Sequence, residues 1–159
     1  MLVGRGPVNR DVIWLRMYAT PPIANLLVIR SRDIDRAVTF YQRLGMVFVR
    51  HSHGRGPEHY ASDICGFVFE IYPQRNADDT TTNTRLGFNV DDVDGLIDLL
   101  REIDATIVTE PSDSEWGRRA VVKDLDGHTV ELITPANRDA FIVDNFNKAC
   151  RIGDAKDAK

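Results

Sequence analysis

Cysteine is scarce in this chain: two in 159 residues, Cys65 within a predicted strand and Cys150 in the tail, spaced for neither pairing nor metal ligation. That excludes a disulfide scaffold and a thiolate metal site, and it makes a reducing cytoplasm the expected compartment. Positive charge is also in short supply, with 20 Lys and Arg against 24 Asp and Glu and a net charge of −4. Such a balance offers no general attraction for nucleic acid or an anionic membrane, and Arg118-Arg119 is too small a basic spot to reverse it. No apolar run approaches the about 20 residues of a membrane helix, and the first residues, with Arg5, Arg10 and Arg16, contain no unbroken signal-peptide core. Nucleic acid and membrane are therefore not expected partners. What is present, 43% hydrophobic and 28% charged residues, suffices for one core and is too little for two ordinary domains.

Within that length the chain repeats itself. Gly66-Phe67-Val68-Phe69-Glu70-Ile71-Tyr72-Pro73 and Gly127-His128-Thr129-Val130-Glu131-Leu132-Ile133-Thr134-Pro135 each place a glutamate four residues after a glycine. Upstream, Asn25–Ile29 leads into Arg32-Asp33-Ile34-Asp35, as Thr84–Val90 leads into Asp91-Asp92-Val93-Asp94. An internal duplication follows. A carboxylate within an apolar strand is costly to bury alone, so finding it twice in one register points to a shared cavity.

Period and punctuation give the elements. Residues 1–22, with Gly4, Gly6, Pro7, Pro21 and Pro22, carry no sustained period and read as an irregular extension. In the first module, residues 23–73, strands are expected over 23–30, 46–51, 58–62 and 67–72. A helix opens at Asp33, has Ile34, Ala37, Val38, Tyr41 and Leu44 on one face, and ends at Gly45. The linker 74–83 is polar and expected to be exposed. In the second module, residues 84–135, strands fall at 85–90, 106–109, 119–123 and 129–134. Here Asp92 caps a helix with Val93, Leu96, Ile97, Leu100 and Ile103 on one face, and Asp126-Gly127 makes a tight turn. Each module is strand, helix, then three strands: an α+β fold of two tandem βαβββ units on a curved mixed sheet. Beyond residue 136, Phe141, Ile142, Phe146 and Ala149 predict an amphipathic C-terminal helix over 138–151, followed by a polar tail.

Strand alternation separates two faces. Phe67, Phe69, Ile71, Leu86, Phe88, Val90, Val130 and Leu132 suit packing beneath the helices. The opposite face collects Val68, Glu70, Tyr72, Arg85, Gly87, Asn89, Thr129, Glu131 and Ile133, with Leu26, Val28 and Arg30. A mixed face with carboxylates and guanidiniums is suited to a ligand.

The paired modules, the helix entry Arg32–Tyr41 with Leu44-Gly45-Met46, and the run from Trp116-Gly117-Arg118 to Asp124–Leu132 resemble the vicinal oxygen chelate superfamily over about residues 23–135. Glyoxalase I, extradiol dioxygenases, fosfomycin-resistance transferases and bleomycin-binding proteins belong to it. The resemblance implies a cleft, a homodimer, and a metal held by a histidine on each module's first strand and a carboxylate on each last strand. The carboxylate positions fall on Glu70 and Glu131, the candidate catalytic groups. The histidine positions fall on Leu26 and Arg85, neither of which offers a lone pair. The usual metal site is thus expected to be broken, with no cofactor, and Arg85 to supply positive charge between the carboxylates. Arg30, Asn89, Tyr72, Trp116 and Arg118 are the further expected ligand contacts.

Other residues are weighed against bland readings. His51 and His53 share one side of a strand, and His59 and Glu58 follow a Gly-rich turn; scattered solvated histidines are preferred to an off-pattern metal site. Gly54-Arg55-Gly56-Pro57 lacks the ending of a phosphate loop, and His128 sits in a turn with no expected catalytic role. The expected function is binding of a small polar or anionic molecule without the usual metal. The alternatives are a glyoxalase-type lyase (lactoylglutathione lyase) using Glu70, Glu131 and off-pattern ligands, and a non-catalytic regulatory module with a filled cleft.

Overall fold

The computed structural model describes residues 23–137. The N-terminal extension and the C-terminal helix expected over 138–151 lie outside the described residues. In chain order the elements are β1 (Leu26–Ser31), α1 (Ile34–Arg43), β2 (Val49–His51), β3 (His59–Ile64), β4 (Phe67–Pro73), β5 (Arg85–Asn89), α2 (Val93–Arg101), β6 (Thr106–Ser114), β7 (Gly117–Lys123) and β8 (Thr129–Pro135). The expected order, βαβββ twice, is present. The strands form two four-stranded sheets, β1-β4-β3-β2 and β5-β8-β7-β6, each hydrogen-bonded within itself. In both, the first strand runs parallel to the last and the remaining pairings are antiparallel.

The helices begin where an aspartate can satisfy free backbone donors. Asp33 and Asp92 are extended N-caps whose carboxylates accept from the amides of Arg36 and Gly95, at 3.0 and 3.1 Å. Helix α1 ends at Gly45, whose φ of +89° suits a residue without a Cβ, with the Gly45 amide bonding the Gln42 carbonyl and the Met46 amide that of Tyr41. The apolar stripe is wider than the period alone suggests: besides Ala37, Val38 and Tyr41, α1 buries Phe40 completely.

The sheets and helices enclose one core. Ile29, Phe69 and Ile71 of the first module cluster with Leu86, Val130 and Leu132 of the second, around Tyr41, Ile97 and Leu100. The Tyr41 ring meets Phe69 at 4.8 Å and Phe88 at 6.2 Å, so aromatic packing crosses between modules. Each fully buried Leu, Ile or Phe contributes about 1.5–3 kcal/mol, which makes this shared layer the main bond between the halves.

A polar network reinforces it. Asp124 accepts from the Tyr41 hydroxyl at 2.7 Å through Oδ2, which also bonds His128 Nδ1 at 2.8 Å; its Oδ1 accepts from the amides of Asp126, Gly127 and His128. His128 Nε2 bonds Thr81 Oγ1 at 2.7 Å, and that oxygen also accepts from the Arg30 amide. Burial works to raise the Asp124 pKa, but the hydrogen bonds from His128 and Tyr41 outweigh it and hold the carboxyl below its ordinary value. His128 is fully buried here as a connector. The linker is largely exposed, but Thr81 is drawn inward by this network.

Two expectations need correction. Cys65 is not in a strand: it occupies the exposed β3–β4 turn with φ of +54°. Strand β6 runs on past residue 109 to Ser114 through two register shifts; its Pro111 is tolerated because β6 is an edge strand. The hairpin that follows requires Gly117, where φ is +125° and a Cβ would lie 2.2 Å from the Thr134 carbonyl oxygen.

Candidate functional site

Parallel pairing sets the polar face of the first sheet. Leu26 lies beside Val68, Val28 beside Glu70 and Arg30 beside Tyr72, while Ala61 of β3 lies opposite Glu70. His59, two residues earlier on β3, shares this face and stacks on the Tyr72 ring at 4.0 Å and 11°. Its Nε2 is 3.7 Å from Glu70 Oε1. Arg30 lies over the Tyr72 ring at 5.1 Å and pairs with Asp79 at 3.5 Å. Desolvation, aided by Glu70, raises the Tyr72 pKa against the opposing effect of Arg30.

The second sheet carries a different arrangement at the equivalent position. Glu131 lies beside Gly87, accepts from Arg85 Nη2 through Oε2, and accepts through the same oxygen from Arg119 Nη2 at 2.7 Å. Arg119 first, then Arg85, pull the Glu131 carboxyl from an ordinary 4.5 down to about 2. A carboxylate held so firmly ionised is unsuited to serve as a general base near neutral pH. The Arg85 side chain is 58% exposed, whereas Arg119 is 23% exposed and its Nε is buried without a partner.

The expected site residues therefore divide. Glu70, Tyr72 and Arg30 meet on the first sheet, and Glu131 and Arg85 on the second. The two carboxylates share no partner among the described residues, so Arg85 neutralises Glu131 alone and does not bridge the pair. Arg118 is not on this face: alternation along β7 turns it toward α2, where it forks onto Asp94 at 2.8 and 2.9 Å and reaches Asp113 at 3.2 Å. Trp116 is 59% exposed in the β6–β7 turn. Asn89, at the end of β5, opens onto a groove of about 760 Å³ lined by Arg43, Leu44, Val90, Gly95 and Leu99. That groove adjoins a second hollow of about 330 Å³, and both lie where α1 meets the second module. Their linings are mostly apolar, whereas the converging charges and imidazoles are on the sheet.

One participant was missed, and another was weighed but set aside as scattered histidines. Arg119 falls on the Glu131 face once the β7–β8 turn fixes Lys123 opposite Thr129, since Val121 then opposes Glu131 and Arg119 opposes Ile133. Counting back from the turn would have found it. The second is the imidazole group: His51 opposes His59 across β2–β3, and His53 folds back to them, with ring centroids 4.4–5.2 Å apart.

Residues 23–132 match the model of the Glyoxalase/Bleomycin resistance protein/Dioxygenase superfamily, and the chain belongs to that family. Among solved structures it is similar to TnmS3, an antibiotic binding protein from Streptomyces sp. CB03234 (20% identity, TM-score 0.61, 75% of this chain and 100% of that one). It is also similar to hypothetical protein SA1046 from S. aureus (20% identity, TM-score 0.59, 76% and 98%). A third is a glyoxalase/bleomycin resistance protein/dioxygenase family enzyme from Burkholderia phytofirmans PsJN (20% identity, TM-score 0.54, 68% and 94%). At these identities the likeness is one of fold. No match was found among curated proteins.

The family's usual metal does not fit these residues. Leu26, 53% exposed, offers only hydrocarbon, and Arg85 offers protonated nitrogens already directed at Glu131. Glu131 itself is engaged by two guanidiniums. No metal step is built on that set.

Proposed function

We propose that the protein binds a small anionic or polar molecule on the sheet face of its second module, without a metal at the family's usual position. One observation carries this reading: two guanidiniums, Arg85 and Arg119, converge on the single carboxylate of Glu131 and leave an excess positive charge. Arg85 spends one of its donors on Glu131 and is more than half exposed, so the rest of its fork is available for a carboxylate or phosphate. Gly87 leaves open space beside Glu131, since a Cβ there would meet nothing within 4 Å. The similarity in fold to an antibiotic binding protein is compatible with binding without turnover.

A lyase reading needs off-pattern metal ligands, and only the imidazole group of the first module favours it. A filled-cleft regulatory module is the weakest reading, because Arg85 stays exposed rather than filling the face. Two chains are proposed to pair, completing the open sheets; Val47, just before edge strand β2, and Val49, its first residue, are 79% and 64% exposed and offer apolar surface for such a contact. No described helix is long and apolar enough to cross a membrane, and the exposed thiol of Cys65 suits a reducing compartment.

The test is calorimetric titration of chelator-treated protein with inorganic phosphate and a panel of small mono- and dicarboxylates, at low and high salt. Saturable, salt-sensitive binding, weakened by about tenfold or more in Arg85→Met, is expected for loss of a charge-assisted contact. No binding across the panel, or equal binding by the variant, would refute the proposal.

A further inference from the structure

We propose that the first module holds a divalent transition-metal ion on His51, His53 and His59, with Glu70 as fourth ligand, at a place that shares only Glu70 with the family's usual one. The ligand nitrogens of the three histidines lie within 4.8 Å of one another. His51 ends β2, His59 begins β3 directly opposite it, and the intervening turn, closed by the Gly56 amide on the His53 carbonyl at 2.8 Å, returns His53 to the pair.

His59 supplies the independent sign. Its side chain is 1% exposed. Nδ1 lies 3.2 Å from the Pro57 carbonyl, which can only accept, so Nδ1 carries a hydrogen and, in the neutral ring, Nε2 presents a lone pair. That Nε2 is buried with no hydrogen-bond partner, and Glu70 Oε1, also an acceptor, stands 3.7 Å from it. A proton on Nε2 would favour a closer approach of the two atoms, at hydrogen-bond distance, whereas a metal ion between them suits the separation seen. Metal–ligand bonds of about 2.1 Å at tetrahedral angles separate neighbouring ligand atoms by about 3.4 Å, close to the distance observed here. A backbone carbonyl on Nδ1, fixing the tautomer and orientation of a ligating imidazole, is the outer-shell partner such a histidine normally has. Stacking on Tyr72 holds the ring in that plane.

Three imidazoles and a carboxylate select zinc or its neighbours over calcium or magnesium, which require more oxygens. Closing the spread from 4.8 Å takes small rotations of His51, half-buried, and His53, exposed. With four protein donors the ion would pin the β2–β3 hairpin to β4.

The test uses tag-free chain, stripped with chelator and titrated with Zn²⁺ and Co²⁺. Binding near one ion per chain, an intense tetrahedral Co²⁺ visible spectrum and a raised Tm are expected. His51→Gln/His53→Gln, which leaves the buried His59 in place and so keeps the fold, should lose more than the about 10–100-fold that an outer-shell change costs. Arg85→Met should bind the ion as the parent does, which separates this proposal from the anion site of the second module. Absence of saturable binding, a Co²⁺ spectrum typical of the hydrated ion, or undiminished binding by the double variant would each overturn it.

Discussion

The two modules share one scaffold and one glutamate position, yet what surrounds that glutamate is opposite in chemistry. Glu70 faces the unpartnered Nε2 of His59, while Glu131 is clasped by two guanidiniums. The apolar face beneath the helices is common to both and merges into one core; on the strands, the divergence lies at the outward positions. A duplicated sheet thus keeps its inward residues for stability and leaves its outward residues free to differ.

The connecting turns differ as sharply. Between β3 and β4, Asp63 accepts one amide, that of Gly66 at 2.7 Å, in an exposed turn. Between β7 and β8, Asp124 is buried and organises three amides, a tyrosine from the first module and a histidine. Substituting Asp124→Ala is therefore expected to have the largest effect, about 3–5 kcal/mol, because it orphans buried donors across both modules. Asp63→Ala should cost within about 1 kcal/mol. Denaturant unfolding of the pair checks this, and equal losses would abolish the contrast between the turns. Thr81→Val should fall between them, about 1–2 kcal/mol, since it removes one shared hydroxyl between His128 and the Arg30 amide.

The contrast between glutamates is sharpened by acid. With the Glu131 pKa lowered from 4.5 to about 2, its contribution is complete above pH 4.5 and disappears as pH falls toward 2. After screening at a partly exposed site, that contribution is on the order of 1–2 kcal/mol. Stability measured against pH should decline less steeply in Glu131→Gln across that window, with a residual slope from Asp124, whose pKa is also lowered. An unchanged slope would mean that the guanidiniums do not hold Glu131. The smallest effect is expected from Arg85→Met on stability, within about 1 kcal/mol at neutral pH and less in acid, because its side chain is mostly in solvent and Arg119 remains.

Periodicity made much of this legible. Asp33, Asp92 and Gly45 punctuate the helices where expected, and the alternation of Phe69, Ile71, Val130 and Leu132 identified the buried face. The pairing of Arg85 with Glu131 followed from their places on first and last strands. What alternation could not give was the partner across a hairpin. Arg119, His51 and His59 are positioned by antiparallel register, which is set by the length and closure of each turn and not by alternation along a single strand. Arg118 was misplaced for the same reason: neighbours in sequence on a strand face opposite ways, so only one of Arg118-Arg119 can reach Glu131.

The most direct test of the account is metal stoichiometry by mass spectrometry on tag-free, zinc-loaded and exhaustively dialysed protein, comparing the parent with Glu131→Gln and His51→Gln/His53→Gln. The account predicts about one ion per chain in the parent and in Glu131→Gln, and none in the histidine variant. Loss of the ion in Glu131→Gln with retention in the histidine variant would contradict it, placing the metal at the family's usual position after all.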